Sequence, residues 1–348
     1  MQQQWQHFLS EQGAIINDGC VKRFNSPETE IKNSTAATIL ADLSHYRLFR
    51  VSGADANSFL QGQLSNDINH VTENQAQMSA YCSPKGRALA LFRVFHFDNA
   101  YFLSLPDEIA ETTMKRLNMF IMRSDVTMDD VTNDYFHFGI AGKDAAAKLK
   151  AALNLAELPD ETDASIIANG LCLQKLAGTP DRFELIGSSD GATTMWNALQ
   201  PSCVPVGESA WSLQRINAGI PEILTNSVET FVPQMLNLQL INTINFQKGC
   251  YPGQEIVART KYLGKLKKRL YLAEVPTANP IEIGTDIYQS GDNLQSVGKI
   301  VLASANSSET TRVLVVLQIA AAEKQSLFLA EKDGPTLKIL AMPYDLDE

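Results

Sequence analysis

The sequence predicts an α+β protein, with a body of two repeated α+β units followed by a small antiparallel β-barrel domain. The first observation is an internal repeat: residues 51–56 and 140–145 both read as a strand that ends at glycine before a helix begins at Asp-Ala. The second is a change in the sequence pattern after Gly264, where short β-rich runs alternate with Gly, Asn, Asp and Pro. Together these patterns favour a duplicated body and an all-β C-terminal domain.

A second matched block supports the repeat. Phe102 precedes a Thr-Thr-Met triplet at 112–114, and Phe183 precedes the same triplet at 193–195 at the same distance. Each half therefore reads as strand, helix, strands, helix, a duplicated α+β unit rather than a parallel Rossmann sheet. We expect similar units over about 51–117 and 140–199, within a region 1–264, and a C-terminal domain over 265–348.

Composition limits the class of protein. The chain has 348 residues, enough for two or three domains, and its 45% hydrophobic and 20% charged residues are typical of a soluble globular protein. A net charge of -10 argues against a broad nucleic-acid surface, although it leaves room for a local basic patch. A polar start and the lack of a long apolar run predict neither a signal peptide nor a membrane span.

The five cysteines are scattered, and none forms a CxxC pair, so neither a zinc site nor a disulfide framework is expected. Reduced thiols in the cytoplasm fit this pattern best. We therefore expect a cytoplasmic protein without a bound metal.

The sharpest motif is Lys248-Gly249-Cys250-Tyr251-Pro252-Gly253-Gln254-Glu255. Two glycines and a proline predict a tight exposed turn, after which a helix can start with Glu255 near its positive end. Cys250 would sit in this turn close to Lys248, where positive potential favours the thiolate. The alternative is a small buried cysteine that only packs, which we expect for the other four.

Three weaker clusters could serve a ligand or be ordinary structure. The amides of 231–239, including Gln234, together with Trp211 and 215–221, would suit a flat heterocycle, although a core tryptophan is the commoner case. The turn at 81–87 and the basic run 261–269 could meet carboxylates, phosphates or an acidic partner. Solvated charges are the simpler explanation for both.

The motif at 248–255 resembles the hallmark of the YgfZ family, and further matches occur in the family's order from about Thr35 to the C terminus. They are 52–55 with 60–63, 85–87, 231–234 with 237–239, and Pro343-Tyr344. The resemblance implies a fold similar to the glycine-cleavage T-protein, with a folate site inside a duplicated body. It also implies links to iron–sulfur cluster maintenance and, through cluster enzymes, to tRNA modification.

Some folate-site positions can be carried over from this resemblance. The family's two tryptophans match Tyr46 and Trp211, and Asn217 stands where relatives have Glu. Asn supplies one acceptor oxygen where Glu supplies two, which weakens the expected pterin contact. The acidic positions of the T-protein fall near Leu89 and Ala90 in this chain. Because aminomethyl transfer needs a carboxylate there, these apolar residues argue against that reaction and against a classical aminomethyltransferase.

The resemblance thus implies a folate-dependent accessory protein in iron–sulfur cluster assembly or repair, with Cys250 as its reactive thiol. Its expected partners are tetrahydrofolate or a derivative, and iron–sulfur enzymes or assembly proteins; direct tRNA binding is not expected. Three alternatives stay open: a folate-dependent one-carbon transferase, a thiol hydrolase that pairs Cys250 with a histidine, and a scaffold without chemistry.

Overall fold

The computed structural model describes residues 1–290, 295–324, 326–331 and 334–346. The chain opens with a small N-terminal segment that packs on the body: α1 (Gln3–Glu11), β1 (Ile15–Asn17), β2 (Cys20–Arg23) and α2 (Pro27–Ala36). The side chain of Ser26 caps α2 by accepting from the Thr29 N–H, and Pro27 occupies the first turn, where its missing N–H costs nothing.

The next segment builds the first large sheet. Its elements are β3 (Ile39–Asp42), β4 (Tyr46–Ser52), α3 (Ala56–Gln63), β5 (Gln77–Cys82), β6 (Ala88–Phe97), β7 (Ala100–Pro106), α4 (Asp107–Asn118) and β8 (Thr127–Asp130). Five of these strands pair antiparallel in the order β5-β6-β7-β4-β8, while β3 joins the second sheet. The central strands β5 and β6 of the first sheet are buried on both faces, because helices cover one side and the rest of the body covers the other.

The second large sheet repeats this arrangement. Its elements are β9 (Tyr135–Ala141), α5 (Ala145–Leu153), β10 (Ser165–Ala168), β11 (Leu171–Leu176), β12 (Arg182–Ser188), α6 (Ala192–Leu199) and β13 (Val204–Val206). The strand order is β10-β11-β12-β9-β3-β13, so β10-β11-β12-β9 corresponds to β5-β6-β7-β4 of the first sheet. Helices α5 and α6 occupy the same places in the chain as α3 and α4.

The glycines of the repeat explain why both halves turn in the same way. Gly53 and Gly142 follow β4 and β9 with φ of +111° and +146°, a region that L side chains rarely adopt. A Cβ would lie 2.1 Å from the Asp125 carbonyl oxygen at Gly53 and 2.6 Å from the Thr38 Cα at Gly142. Each strand therefore ends at a position that only glycine fits, and each helix begins three residues later.

The remaining elements are α7 (Glu208–Asn217), α8 (Gln254–Tyr262), β14 (Lys268–Val275), β15 (Asp286–Gln289), β16 (Ser296–Ala305), β17 (Thr311–Gln318), α9 (Ile319–Lys324), β18 (Leu327–Leu329) and β19 (Lys338–Leu340). The described strands of this part form an antiparallel sheet, β18-β15-β16-β17-β14-β19, that curls into a half-barrel. The predicted α+β class with a C-terminal antiparallel β-domain is confirmed. The proposed boundary at 264/265 stays a prediction.

One apolar core joins the first sheet to the half-barrel. Buried residues of β14, β16 and β17 pack in the same cluster as those of β5, β6 and α3, and the long connection between α7 and α8 contributes to it. The second sheet has its own core beneath α1, α5 and α6. The polar site described next lies where these layers meet.

Candidate functional site

The hallmark turn is fixed by a buried lysine. The Nζ of Lys248 donates to three backbone carbonyls, those of Gln61 at 2.7 Å, Leu64 at 2.5 Å and Asn66 at 3.0 Å. Two of these carbonyls belong to the last turn of α3 and its cap, where helix carbonyls lack partners and a positive charge is favoured. Burial lowers the pKa of Lys248 to about 8. Lys248 thus anchors the turn to α3, and its ammonium is committed to these carbonyls.

Two glycines lock the other end of the motif. Gly253 has φ +78°, and a Cβ there would lie 2.4 Å from the Ser83 carbonyl oxygen and 2.7 Å from the Gly86 Cα. Gly86 has φ +68°, and its missing Cβ leaves room for the side chain of Ile256. The hallmark turn and the hairpin turn between β5 and β6 are therefore in direct backbone contact, an approach that only glycine permits.

The other motif residues have separate places. Tyr251 is buried, and its ring centre lies 5.4 Å from the Lys248 Nζ. Gln254 donates to the Lys248 carbonyl at 3.4 Å, which closes the turn, and Glu255 is exposed in the first turn of α8. Gly249 is exposed, and no atom outside its neighbours lies within 4 Å of the position of a Cβ.

Cys250 is the exposed cysteine of the chain, whereas Cys20, Cys82, Cys172 and Cys203 are buried. Burial raises the pKa of Cys82 and of Cys172 to about 12, which favours the neutral thiol over the reactive thiolate. The four cysteines are buried as expected for residues that pack, and that they do nothing else stays a prediction. Within the described residues Cys250 forms no hydrogen bond with a histidine, so the geometry lends no support to a thiol hydrolase.

A cavity of about 500 Å³ opens between the two large sheets, the end of α7 and the C-terminal segment. Its lining combines apolar groups such as Met78 and Ile220 with five charged side chains. They are Arg93 of β6, Asp163 just before β10, Arg182 and Glu184 of β12, and Arg215 of α7. Its volume lies in the range typical of small-molecule sites, which also join apolar walls to a few placed polar groups.

Arg182 is the least satisfied of these charges. Its residue is 2% exposed, and its guanidinium stacks 5.0 Å from the ring centre of Trp211 while Nη1 donates to the Ala177 carbonyl at 3.0 Å. Its Nε and Nη2 have no hydrogen-bond partner among the described residues. Burial, reinforced by the charge of Arg215, lowers the pKa of Arg182 to about 10. The cavity thus presents a buried cation with free donors.

Glu184 lies two residues further along β12, on the same face of the sheet. Burial alone would raise its pKa, but His137 at 3.2 Å and the charges of Arg93 and Arg215 outweigh burial and lower the pKa to about 2. Arg93 itself is held by Gln174 and Asp163, each at 2.6 Å. Glu184 is therefore an ionised acceptor beside the free donors of Arg182.

Tyr46 faces a different cavity, of about 400 Å³, beneath α1. Its hydroxyl donates to Glu222, whose Oε1 also lies 3.2 Å from the Arg215 Nε. Burial, and then the negative charge of Glu222, raise the pKa of Tyr46, so the hydroxyl stays a donor. Tyr46 reaches the central cavity only through Glu222 and Arg215.

Trp211 is a core residue. It is 0% exposed in a cluster between β3 and α7, and its ring fills the space that a Cβ at Gly139 would need. Trp211 is not among the described residues that line the central cavity. Trp211 acts on that cavity through the guanidinium of Arg182, which lies on its ring.

The side chains of Asn217 and Gln234, the last two predicted folate contacts, form hydrogen bonds within the protein. Asn217 accepts from Arg312 at 3.3 Å, and Gln234 donates to the Val257 carbonyl at 2.6 Å from a 4% exposed position. Direct folate contact by these residues, as by Tyr46 and Trp211, stays a prediction. Arg182 and Glu184 are not among the site residues predicted from the sequence, although two charged residues flanking Phe183 in an apolar strand are a signal for a buried polar site.

Among the described helices, none is long and apolar enough to cross a bilayer. The described residues also contain no cluster of His, Cys, Asp or Glu side chains with the proximity that a metal ion requires.

Comparison with known proteins gives a consistent result. The family described as GCVT N-terminal domain matches residues 22–167. In three dimensions the chain is similar to the glycine cleavage system aminomethyltransferase T from Bartonella henselae, with a TM-score of 0.79 and 17% identity over 97% of this chain and 96% of that one. This likeness confirms the predicted T-protein-like fold.

Curated relatives match along nearly their whole length. The tRNA-modifying protein YgfZ of Enterobacter sp. strain 638 is 31% identical over 92% of this chain and 98% of its own. The protein of the same name from Colwellia psychrerythraea is 30% identical over 89% of this chain and 94% of its own. With the hallmark turn in place, these matches show that the chain belongs to the YgfZ family.

Proposed function

We propose that this protein binds a reduced folate and acts as a cytoplasmic accessory protein in iron–sulfur cluster assembly or repair, and thereby in tRNA thiolation, with Cys250 as its reactive group. The relatives' name supports the tRNA role, and the T-protein-like fold supports the folate. The observation that carries the proposal is Cys250 itself: an exposed thiol on a turn fixed by Lys248 and Gly253, in a chain whose other cysteines are buried.

The central cavity supports a pterin as ligand. The edge of a pterin carries an amino group and a ring N–H as donors, next to a carbonyl oxygen as acceptor. Glu184 can accept from paired donors, and the free nitrogens of Arg182 can donate to the oxygen, because both side chains lie on one face of β12. Glu184 would then accept the hydrogen bonds of the pterin donors that are expected from a Glu at the position of Asn217.

The alternative of an aminomethyl-type transferase is less well supported. Leu89 and Ala90, at the acidic positions of the T-protein, are buried and apolar. Asp163 is a second carboxylate that lines the cavity, but it accepts from Arg93 at 2.6 Å, and that charge pair occupies it. A transferase would need a carboxylate free to stabilise charge at the reacting folate nitrogen.

The decisive experiment is rescue of tRNA thiolation in cells that lack their own YgfZ protein. Cys250→Ser keeps the size of the side chain and an exposed polar tip, so we expect it to fold, to bind tetrahydrofolate and to fail in rescue. Cys20→Ser, at the least buried of the other cysteines, is the matched control and should rescue. Full rescue by Cys250→Ser would refute the proposed role of the thiol.

The folate part is tested separately, by titration of the purified protein with tetrahydrofolate. Trp211 lies against Arg182 at the wall of the cavity, so occupation should change its fluorescence. An unchanged signal together with no heat of binding in calorimetry would refute folate binding and leave the thiol proposal standing.

A further inference from the structure

An open cleft of about 670 Å³ lies beside the hallmark turn, between the segment before Lys248, the start of β5 and the end of α8. Its lining is rich in side-chain amides together with His70 and two aromatic rings. The amides are those of Asn66, Gln75, Gln77, Asn242, Asn245 and Gln247. The amides of Asn66, Gln75 and Asn245 are already hydrogen-bonded to the backbone. Those of Asn242 and Gln247 are exposed and form no hydrogen bond with another described residue. Each carries a donor and an acceptor in one plane, the arrangement that reads the edges of unpaired bases.

The aromatic wall of the cleft is formed by Phe246, which is partly exposed, and Tyr262, which is exposed. Phe246 and Tyr262 meet edge to face, with ring centres 6.2 Å apart, and the Lys261 Nζ lies 4.2 Å from the centre of the Phe246 ring. Tyr262 is nonetheless 65% exposed, and the next residue, Leu263, is 84% exposed. Packing thus orients the Tyr262 ring without covering it, as in platforms on which bases stack.

Positive charge is concentrated at the same place. In a chain of net charge -10, the segment 259–269 carries six basic residues and no acidic one. Arg259, Lys261, Lys265 and Lys267 are exposed, and none of the six forms an ion pair with another described residue. The turn with Lys85 and Arg87, also exposed, adjoins α8 through the contact of Gly86 with Ile256. The acidic side chain that lines the cleft, Asp163, is bound by Arg93.

We propose that the amide cleft and the adjoining basic segment bind single-stranded RNA, with a base stacked on Tyr262, base edges at the exposed amides of Asn242 and Gln247, and phosphates at the lysines. The choice of partner rests on the proposed role in tRNA modification. An acidic protein would use the charge but not the amides or the open ring. The cleft shares Asp163 and Asn242 with the central cavity, so a bound nucleotide would lie beside the proposed folate site and near the hallmark turn.

The test is binding of a fluorescein-labelled RNA stem–loop, followed by anisotropy over a series of salt concentrations. A fully paired RNA and an acidic peptide are measured alongside it. The variants are Tyr262→Ala, Tyr262→Phe and the double substitution Lys265→Gln with Lys267→Gln. A double substitution of the exposed Lys143 and Lys150, at α5, is the matched charge control.

We expect Tyr262→Ala to weaken stem–loop binding about tenfold or more, since a stacked base contributes about 1–3 kcal/mol and 1.4 kcal/mol is one decade. Tyr262→Phe keeps the ring, so its affinity for the stem–loop should stay within about twofold of that of the unaltered protein. The variant with Lys265→Gln and Lys267→Gln loses two phosphate contacts, so the slope of log K against log salt should become smaller by about 1.4. The double substitution of Lys143 and Lys150 should not change this slope.

Two results would overturn the inference: no binding of the stem–loop at low salt, or equal affinity of Tyr262→Ala and the unaltered protein. Binding of the acidic peptide without competition from RNA would also overturn it and assign the surface to a protein partner. If the unaltered protein rescues tRNA thiolation while any of these results is obtained, only the proposal of an RNA-binding surface is refuted, and the proposed function stands.

Discussion

Replacing Arg182 by methionine should stabilise the empty protein and, if the proposed folate site is correct, weaken the binding of tetrahydrofolate. The guanidinium is 2% exposed, and two of its nitrogens lack partners among the described residues. Because its pKa is lower in the folded state, the unfolded chain holds the proton more tightly, and the charge destabilises the fold at every pH below about 10. Methionine fills a similar space without charge.

The magnitude follows from the lowered pKa. An ordinary arginine titrates above 12, so a value of about 10 corresponds to about 3 kcal/mol at 1.36 kcal/mol per pKa unit. The variant also loses the hydrogen bond to Ala177, about 1–2 kcal/mol, and part of the contact with Trp211. We therefore expect a net gain of about 1 kcal/mol in the free energy of unfolding.

Urea denaturation and tetrahydrofolate titration of the same preparation measure the two effects. A pterin carbonyl on the free nitrogens of Arg182 would contribute a charge-assisted hydrogen bond of about 1.5–3 kcal/mol, so the affinity should fall about tenfold or more. Arg23→Met, at an exposed position of β2, should change neither quantity. Lower stability with unchanged affinity would mean that Arg182 is a structural residue, and the reasoning would be refuted.

Three further outcomes are expected. Cys250 should react with a thiol probe in the folded protein, and the four buried cysteines only after denaturant is added, as followed by mass spectrometry. Labelling of all five cysteines at the same rate in the folded protein would contradict this prediction. Gly253→Ala should cost about 2 kcal/mol or more of stability in urea melts, because its Cβ would meet the Ser83 carbonyl oxygen at 2.4 Å, whereas Gly249→Ala should cost under about 1 kcal/mol; equal losses would contradict the proposed interlock. Trp211→Phe should lower the affinity for tetrahydrofolate less than Arg182→Met does, since Trp211 acts through Arg182; a larger loss in the titration would place the indole at the ligand.

The parts of the structure that depend on neighbours in the chain could be predicted from the sequence. Gly53 and Gly142 each force a left-handed residue between a strand and a helix, so the repeat was readable from spacing alone. The tight turn around Gly253 was readable for the same reason. In both cases the local backbone leaves few alternatives to a glycine.

The central cavity could not be predicted because its charges meet only after the sheets assemble. Tyr46 reaches Glu222 across 176 residues, and Arg93 reaches Gln174 across 81. The sequence predicts a stacking surface at Trp211, because the residue type does not reveal whether the face of the ring will be open, and direct folate contact there stays a prediction. In the structure that face is covered by Arg182, which the sequence analysis read only as part of a strand.

The apolar core shared by the first sheet and the half-barrel has a consequence for proteolysis. The segment 261–267 is exposed and offers lysines to trypsin, so the chain should be nicked there while still native. The nicked halves would not part, because Leu270, Leu272 and Leu314 belong to the same apolar cluster as buried residues of β5 and β6. On a sizing column the cut protein should elute with the intact one and separate into two fragments only in denaturant.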